Sequence, residues 1–406
     1  MSLPQIDDAR TRTSTCRSPG AGTGTSRHST RRAPGKIAPR IVPVAVDVAW
    51  TMSGRAYPVR RASDLQRIER SLAGATQAAD RDPETVKVGV IVPQGWTGEY
   101  AGVEPVDAWR RTVETAREAE RLGFDSIWVF DHFHTTPEPT DELTFEAYTS
   151  LSALAALTSR IRLGQIVTCA AYRNPALVAK MVSTLDTISN GRMELGLGAG
   201  WKREEWEAYG YDFPPTRERL AFLEESLEIV SRMFEPGRAS FRGRRVRIAG
   251  AINLPKPIQQ PRLPIMVGGN GREVTWRLAA RFADELNLDN VAADEMADAM
   301  KVIADRCEEV GRDPATLRVS VHIWWSSFEE APSPSDLLAA YREAGVSRVM
   351  TLVRAAAHDR EAIAQFREDA LEAGAELEAT ETAGGSADGR RRMQPVGPGE
   401  KTTSRH

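Results

Sequence analysis

The chain has 406 residues, 53 Lys and Arg against 56 Asp and Glu (net charge −3), and three cysteines. Cys16, Cys169 and Cys307 have no paired spacing and form no CxxC, which argues against a disulfide framework or a cysteine-based zinc site and fits a reducing cytoplasm. No run of about 18 apolar residues exists, so the sequence carries no membrane-spanning signal.

The first 61 residues carry ten Arg and one Lys against three Asp, a net of +8, and are dense in Ser, Thr, Gly and Pro. Such a stretch buries too little apolar area to offset its ordering entropy, so residues 1–85 are expected to be a disordered basic extension. A nucleic-acid tether or a targeting peptide are the functional alternatives to a plain extension, such as a start codon placed too far upstream would produce. The plain extension is preferred: Ile41–Trp50 is short, interrupted by Pro43 and Asp47, and far from the N-terminus, unlike a secretory core. The remainder of the chain, at −11, is acidic and does not favour nucleic acid. Residues 378–406 read as a second disordered tail.

Between the tails, over 86–377, eight apolar runs alternate with helix-period stretches. The runs are Val86–Pro93, Ser126–Phe130, Ile161–Thr168, Met193–Gly198, Pro264–Gly268, Glu285–Leu288, Arg318–Trp325 and Arg348–Val353. Helical patterns include Val106–Leu122, Asn174–Ile188, Arg217–Phe234 and Asp359–Ala373. Strict alternation implies a parallel sheet, and eight units close one into a (β/α)8 TIM barrel. The punctuation agrees: Asp107 as a cap beside Pro105, Asn174-Pro175 as cap and first helical position, and Gly123, Asn190-Gly191, Gly311 and Gly345 as stops. One interruption, Ala239–Ala251 around Gly243, reads as a hairpin inserted between the fourth and fifth strands, followed by a proline-rich approach.

In such barrels the chemistry sits where strands end. His132, directly after Asp131 at the end of the second run, is the sharpest candidate for proton transfer near neutral pH. The alternative is a helix-cap Asp beside a surface His, and position at the catalytic end favours function. His134 and Glu138 add no third ligand at a metal-binding spacing, so no metal is expected. Gly196–Gly200 lacks the full dinucleotide fingerprint but allows close backbone approach to a flat ligand before a helix start at Trp201. Gly268-Gly269-Asn270-Gly271 reads as amides at a helix N-terminus, suited to an anion. Trp96, Trp201 and Trp324 are expected to line a pocket for a planar or apolar ligand. Cys169, at the end of the third strand, is expected to pack rather than react.

Six segments in order, among them Ala119–His132, Asn174–Lys180, Ser189–Trp201 and Pro264–Gly271, resemble the luciferase-like flavin and deazaflavin oxidoreductases, most closely the branch that uses coenzyme F420. The resemblance implies the same barrel, a small organic substrate, FMN as the alternative cofactor, and a homodimer as the common assembly. It places Asp131 and His132 at the reacting face of the cofactor ring. It also maps a non-proline cis peptide to Ile166-Val167 with Thr168 beside it, and the ribityl and phosphate groups to Gly198, Ala199 and Gly200 and to Gly268, Gly269, Asn270 and Gly271. The family's sugar-phosphate dehydrogenases have an acidic residue and a Trp where this chain has Trp201 and Thr136, which argues against a sugar phosphate. Thr216 stands where alkanesulfonate monooxygenases have a histidine. The expected activity is F420-dependent hydride transfer. A reduced-FMN monooxygenase is the alternative, and a non-catalytic binding protein, for which a broken rim would be expected, is the second alternative.

Overall fold

The computed structural model describes residues 85–378 and, within the N-terminal unit of residues 1–60, an antiparallel pairing of Ala49–Trp50 with Ala56–Tyr57. Apart from Thr85 and from Glu378, whose N–H donates to Gly123 O at 2.8 Å, the disorder expected of residues 1–85 and 378–406 otherwise concerns positions outside the described residues.

Eight parallel strands close into a barrel: β1 (Val86–Ile91), β2 (Ser126–Val129), β3 (Arg162–Gln165), β4 (Met193–Gly198), β5 (Ile265–Gly268), β6 (Glu285–Asp289), β7 (Arg318–Ile323) and β8 (Arg348–Leu352). Pairing runs in chain order, with β8 on β1 and β4 on β5 completing the ring. Helices Pro105–Arg121, Pro175–Ile188, Thr216–Phe234 and Glu361–Glu372 fall within a residue or two of their expected bounds. Asn174 caps the second of these through its side chain, accepting from Ala176 N–H. Asp107 does not cap the first; Glu104 holds that position without a side-chain bond, and Asp107 lies in the first turn, where its charge still suits the helix dipole. The inserted hairpin pairs Arg238–Arg242 with Arg247–Ile252 between β4 and β5. Among the described residues no helix is long and apolar enough to cross a membrane.

Alternation along the strands divides the apolar side chains into two populations. One packs the sheet against the helices. The other, Ile91, Trp128, Phe130, Ile166, Met266, Met350 and Leu352 with Trp96, fills the barrel's interior toward its C-terminal end. Below it the interior is ionic. Arg348 is fully buried, ion-pairs Glu194 at 2.9 Å and Asp125 at 3.0 Å, and lies over the Trp128 ring. Despite burial, Arg348 and Arg162 hold the Glu194 carboxyl well below the usual carboxylate range. This plug closes the bottom of the barrel and leaves chemistry to the top.

Candidate active site

The chain turns sharply after β2 because Gln94, beyond the end of β1, clamps that strand end. Its amide oxygen accepts from Phe130 N–H at 2.9 Å, and its amide nitrogen donates to Phe130 O at 2.9 Å. From there the adjacent Asp131 and His132 diverge.

Asp131 goes into the frame. Its Oδ2 accepts from the Cys169 N–H at 3.0 Å and from Arg173 at 2.8 Å, and the residue is 3% exposed. Burial pushes its carboxyl up against the pull of Arg173. Arg173 in turn bonds Glu146, the cap of helix Ala147–Leu157, and lies over the Tyr148 ring. The side chain expected beside a cofactor ring is thus the tie between the ends of the second and third strands.

His132 goes to the mouth. Its Nδ1 lies 2.8 Å from Glu205 Oε2, its ring stacks on Trp96 (centroids 4.4 Å apart, planes at 7°), and Trp201 meets its edge at 5.9 Å. Glu205, on the short helix Arg203–Ala208 after β4, also accepts from Phe133 N–H at 2.7 Å and Tyr172 OH at 2.8 Å. Burial alone would raise its carboxyl; the His132 bond and charge and these donors hold it down to about 2. Glu205 is therefore an acceptor-only carboxylate at neutral pH, so the His132 nitrogen facing it carries a proton and Nε2 remains for a ligand.

The Ile166-Val167 peptide is cis. Past it, Val167 is lodged between two strand-end glycines. A Cβ on Gly198 would come within 2.7 Å of Val167 Cγ2, and one on Gly268 within 2.8 Å of Cγ1. Those two glycines leave room for the Val167 side chain. Gly200, at φ +74°, is required because Cys169 Sγ and Trp206 occupy the space a Cβ would need. The helix after it starts at Arg203, two residues beyond the expected Trp201. Ala199 is half-buried beside them.

Thr168 is fully buried and spends its hydroxyl on Tyr148 OH at 3.0 Å. Asn270 is also occupied: its side chain donates to Asp289 O at 2.7 Å and accepts from Asp289 N–H at 2.9 Å, clipping the loop after β5 to the end of β6. The helix expected right after Gly271 begins only at Thr275, behind a turn. Gly269 keeps open surroundings, with Thr275 Cγ2 the one neighbour a Cβ would meet, at 3.6 Å, and φ +128°. Of the glycines in the two segments, Gly269 alone keeps open space, since a Cβ on Gly271 would come within 2.6 Å of Thr275 Oγ1.

The tryptophans separate. Trp96 is buried at 3% exposure, Trp201 stands out at 58%, and half-buried Trp324 donates from Nε1 to Asp289 Oδ1 at 2.7 Å. The seventh strand ends at Ile323, since Trp325 opens a short helix. Burial pushes the Cys169 thiol up to about 12, as fits a packing role. Among the described residues no group of three or more His, Cys, Asp or Glu could hold a metal ion.

Glu205, Tyr172, Arg173, Asp289 and His322 belong to this region and were not singled out from the sequence. For Glu205 nothing in the chain separates it from neighbouring Glu204. For His322 and Asp289 a signal exists: Arg318, Ser320 and His322, like Glu285, Asn287 and Asp289, are polar at every second position of strands otherwise apolar. In a barrel buried on both faces, that pattern marks a polar interior.

The fold and this rim define a (β/α)8 barrel of the luciferase-like type. The luciferase-like monooxygenase family model matches residues 67–405, so the chain belongs to that family and is an oxidoreductase of it. An uncharacterised protein of Mycobacterium tuberculosis is 31% identical over 250 residues, 58% of this chain and 84% of that protein. The F420-dependent glucose-6-phosphate dehydrogenase of Kineococcus radiotolerans is 35% identical over 175 residues, covering 43% of this chain and 50% of the dehydrogenase. Among solved structures, an F420-dependent secondary alcohol dehydrogenase in complex with an F420-acetone adduct aligns at TM-score 0.61 and 19% identity, over 71% of this chain and 99% of the other.

Proposed function

We propose that this protein transfers a hydride between coenzyme F420 and a small organic substrate, with His132 as the proton-transfer group. The observation that carries the reading is the His132–Glu205 pair, stacked on Trp96 at the barrel's C-terminal mouth. Relatives named as F420-dependent enzymes support the cofactor.

The residues present fit such a group. Val167, wedged against Gly198 and Gly268, joins Ile166 in an apolar ledge, and Gly269 lacks any side chain where surrounding space is open. Ile166 and Val167 would back the flat ring, and Ala199 and Gly269–Gly271 would hold the polar arm. A bound deazaflavin supplies or accepts the hydride at its C5. Glu205 keeps the Nδ1 proton of His132 in place and Trp96 fixes the ring plane. The His132 Nε2 is then the atom that takes a proton from the substrate in one direction and, protonated, returns it in the other. Trp96, Phe130 and Ile166 pack as an apolar floor beneath the mouth, closed to water from below.

A reduced-FMN monooxygenase is the second reading, supported by the family to which the chain belongs. The absence of an acidic residue at Trp201 still speaks against a sugar phosphate as substrate. The test is equilibrium titration of the purified protein with F420 and with FMN, followed by tryptophan fluorescence, then turnover of a substrate panel. F420 binding with His132→Ala affinity within about tenfold, and turnover lowered ~10²–10⁴-fold mainly in kcat, is expected. Binding of FMN alone, with oxygen consumption by its reduced form, would replace this reading with the monooxygenase. Full turnover by His132→Ala would remove His132 from the mechanism.

A further inference from the structure

A second imidazole–carboxylate pair sits across the aromatic wall from His132. β6 and β7 place their inward polar residues in register, Glu285 beside Arg318, Asn287 beside Ser320 and Asp289 beside His322. The rungs are joined: Arg318 to Glu285 at 3.3 Å, Asn287 Nδ2 donating to Ser320 Oγ at 3.0 Å, and His322 Nδ1 to Asp289 Oδ1 at 3.1 Å. The ladder climbs from the ionic plug to the mouth, and His322 is its top rung. The His322 ring lies 5.5 Å from Phe130, which lies 4.2 Å from Trp96, which stacks on His132. Both imidazoles therefore belong to one row of rings.

The far nitrogen of His322, Nε2, is buried and has no hydrogen-bond partner. A buried polar atom without a partner is costly, so His322 Nε2 calls for a donor. Its chemical character follows from the carboxylate. Asp289 already accepts from Trp324 Nε1–H and, ionised, can only accept, so Nδ1 of His322 carries the ring proton. In that tautomer Nε2 is left as an acceptor. A partner for it must donate, and the Phe130 ring 5.5 Å away offers nothing to satisfy a charged one.

We infer that His322 is a specificity-determining residue, whose Nε2 accepts a hydrogen bond from a hydroxyl group on an otherwise apolar substrate. This rests on the reading of the barrel mouth as the substrate site. It concerns recognition, with His132 keeping the proton transfer.

The test uses the full chain without cofactor, so that failure of F420 binding and failure of this inference are separate results. Benzyl alcohol and benzyl methyl ether, alike in shape but differing in the donor, are titrated against tryptophan fluorescence. The wild type should prefer the alcohol by about tenfold. In His322→Phe, checked for folding by circular dichroism, the preference should fall below about twofold, and His322→Gln, whose amide oxygen accepts, should restore part of it. Nitrogen-15 NMR of the histidine rings in the wild type should show His322 in the Nδ1–H form, a readout that needs no variant to fold. Equal affinity for the two probes, no binding of either, an unchanged preference in folded His322→Phe, or an Nε2–H tautomer would each overturn the inference.

Discussion

Replacing Glu205 by glutamine isolates what its charge does. The carboxylate is shared by His132, the Phe133 N–H and the Tyr172 hydroxyl, with its side chain fully buried. Its folded value of about 2 lies below the ordinary 4.5, so it contributes stability that is fully present above pH 4.5 and lost as pH falls through about 2. Each tenfold in proton affinity is worth ~1.4 kcal/mol, which makes the ionised group worth roughly 3 kcal/mol at neutral pH. Glutamine still accepts from Phe133 N–H, so the loss in Glu205→Gln should be about 2 kcal/mol. For a barrel of this size that is a fall in Tm of roughly 3 °C at pH 7. The assay is thermal unfolding by circular dichroism of both proteins between pH 7 and pH 2. The difference should be largest at pH 7 and shrink through the window from 4.5 to 2. His132 should also lose its fixed tautomer, visible in the nitrogen-15 NMR shifts of its ring. A variant as stable as the wild type at pH 7, or a difference that does not close on acidification, would refute the reasoning.

Two further outcomes follow from packing. Gly268→Ala would set a methyl within 2.8 Å of Val167, which Gly198 already confines from the other side, so it should cost ~1–3 kcal/mol in thermal unfolding and weaken F420 binding by displacing the ledge. Unchanged stability and affinity would show that Val167 has room to move. Cys169, buried with its thiol raised to about 12, should stay unmodified by iodoacetamide at pH 8 in the native protein and react once the protein is unfolded, as read by peptide mass mapping. Rapid native labelling would contradict its packing role.

The alternation of strands and helices, the hairpin between β4 and β5, and most helix ends were legible in the sequence. These depend on local periods and on proline, asparagine and glycine at chain-reversal points, which act over a few residues wherever the segment ends up. The position of the cis peptide at Ile166-Val167, by contrast, was implied by the family resemblance at the end of the third strand. The division of labour at the rim did not. His132 meets a carboxylate 73 residues further on, Asp131 meets Arg173 at a separation of 42, and Asn270 meets the backbone of Asp289. Barrel closure and stagger decide which strand ends are neighbours, and no local period encodes them. The same holds for the glycines. A run such as Gly196–Gly200 states that side chains are excluded there, while only the folded ring shows that at Gly198 the space belongs to Val167 and at Gly200 to Cys169 and Trp206.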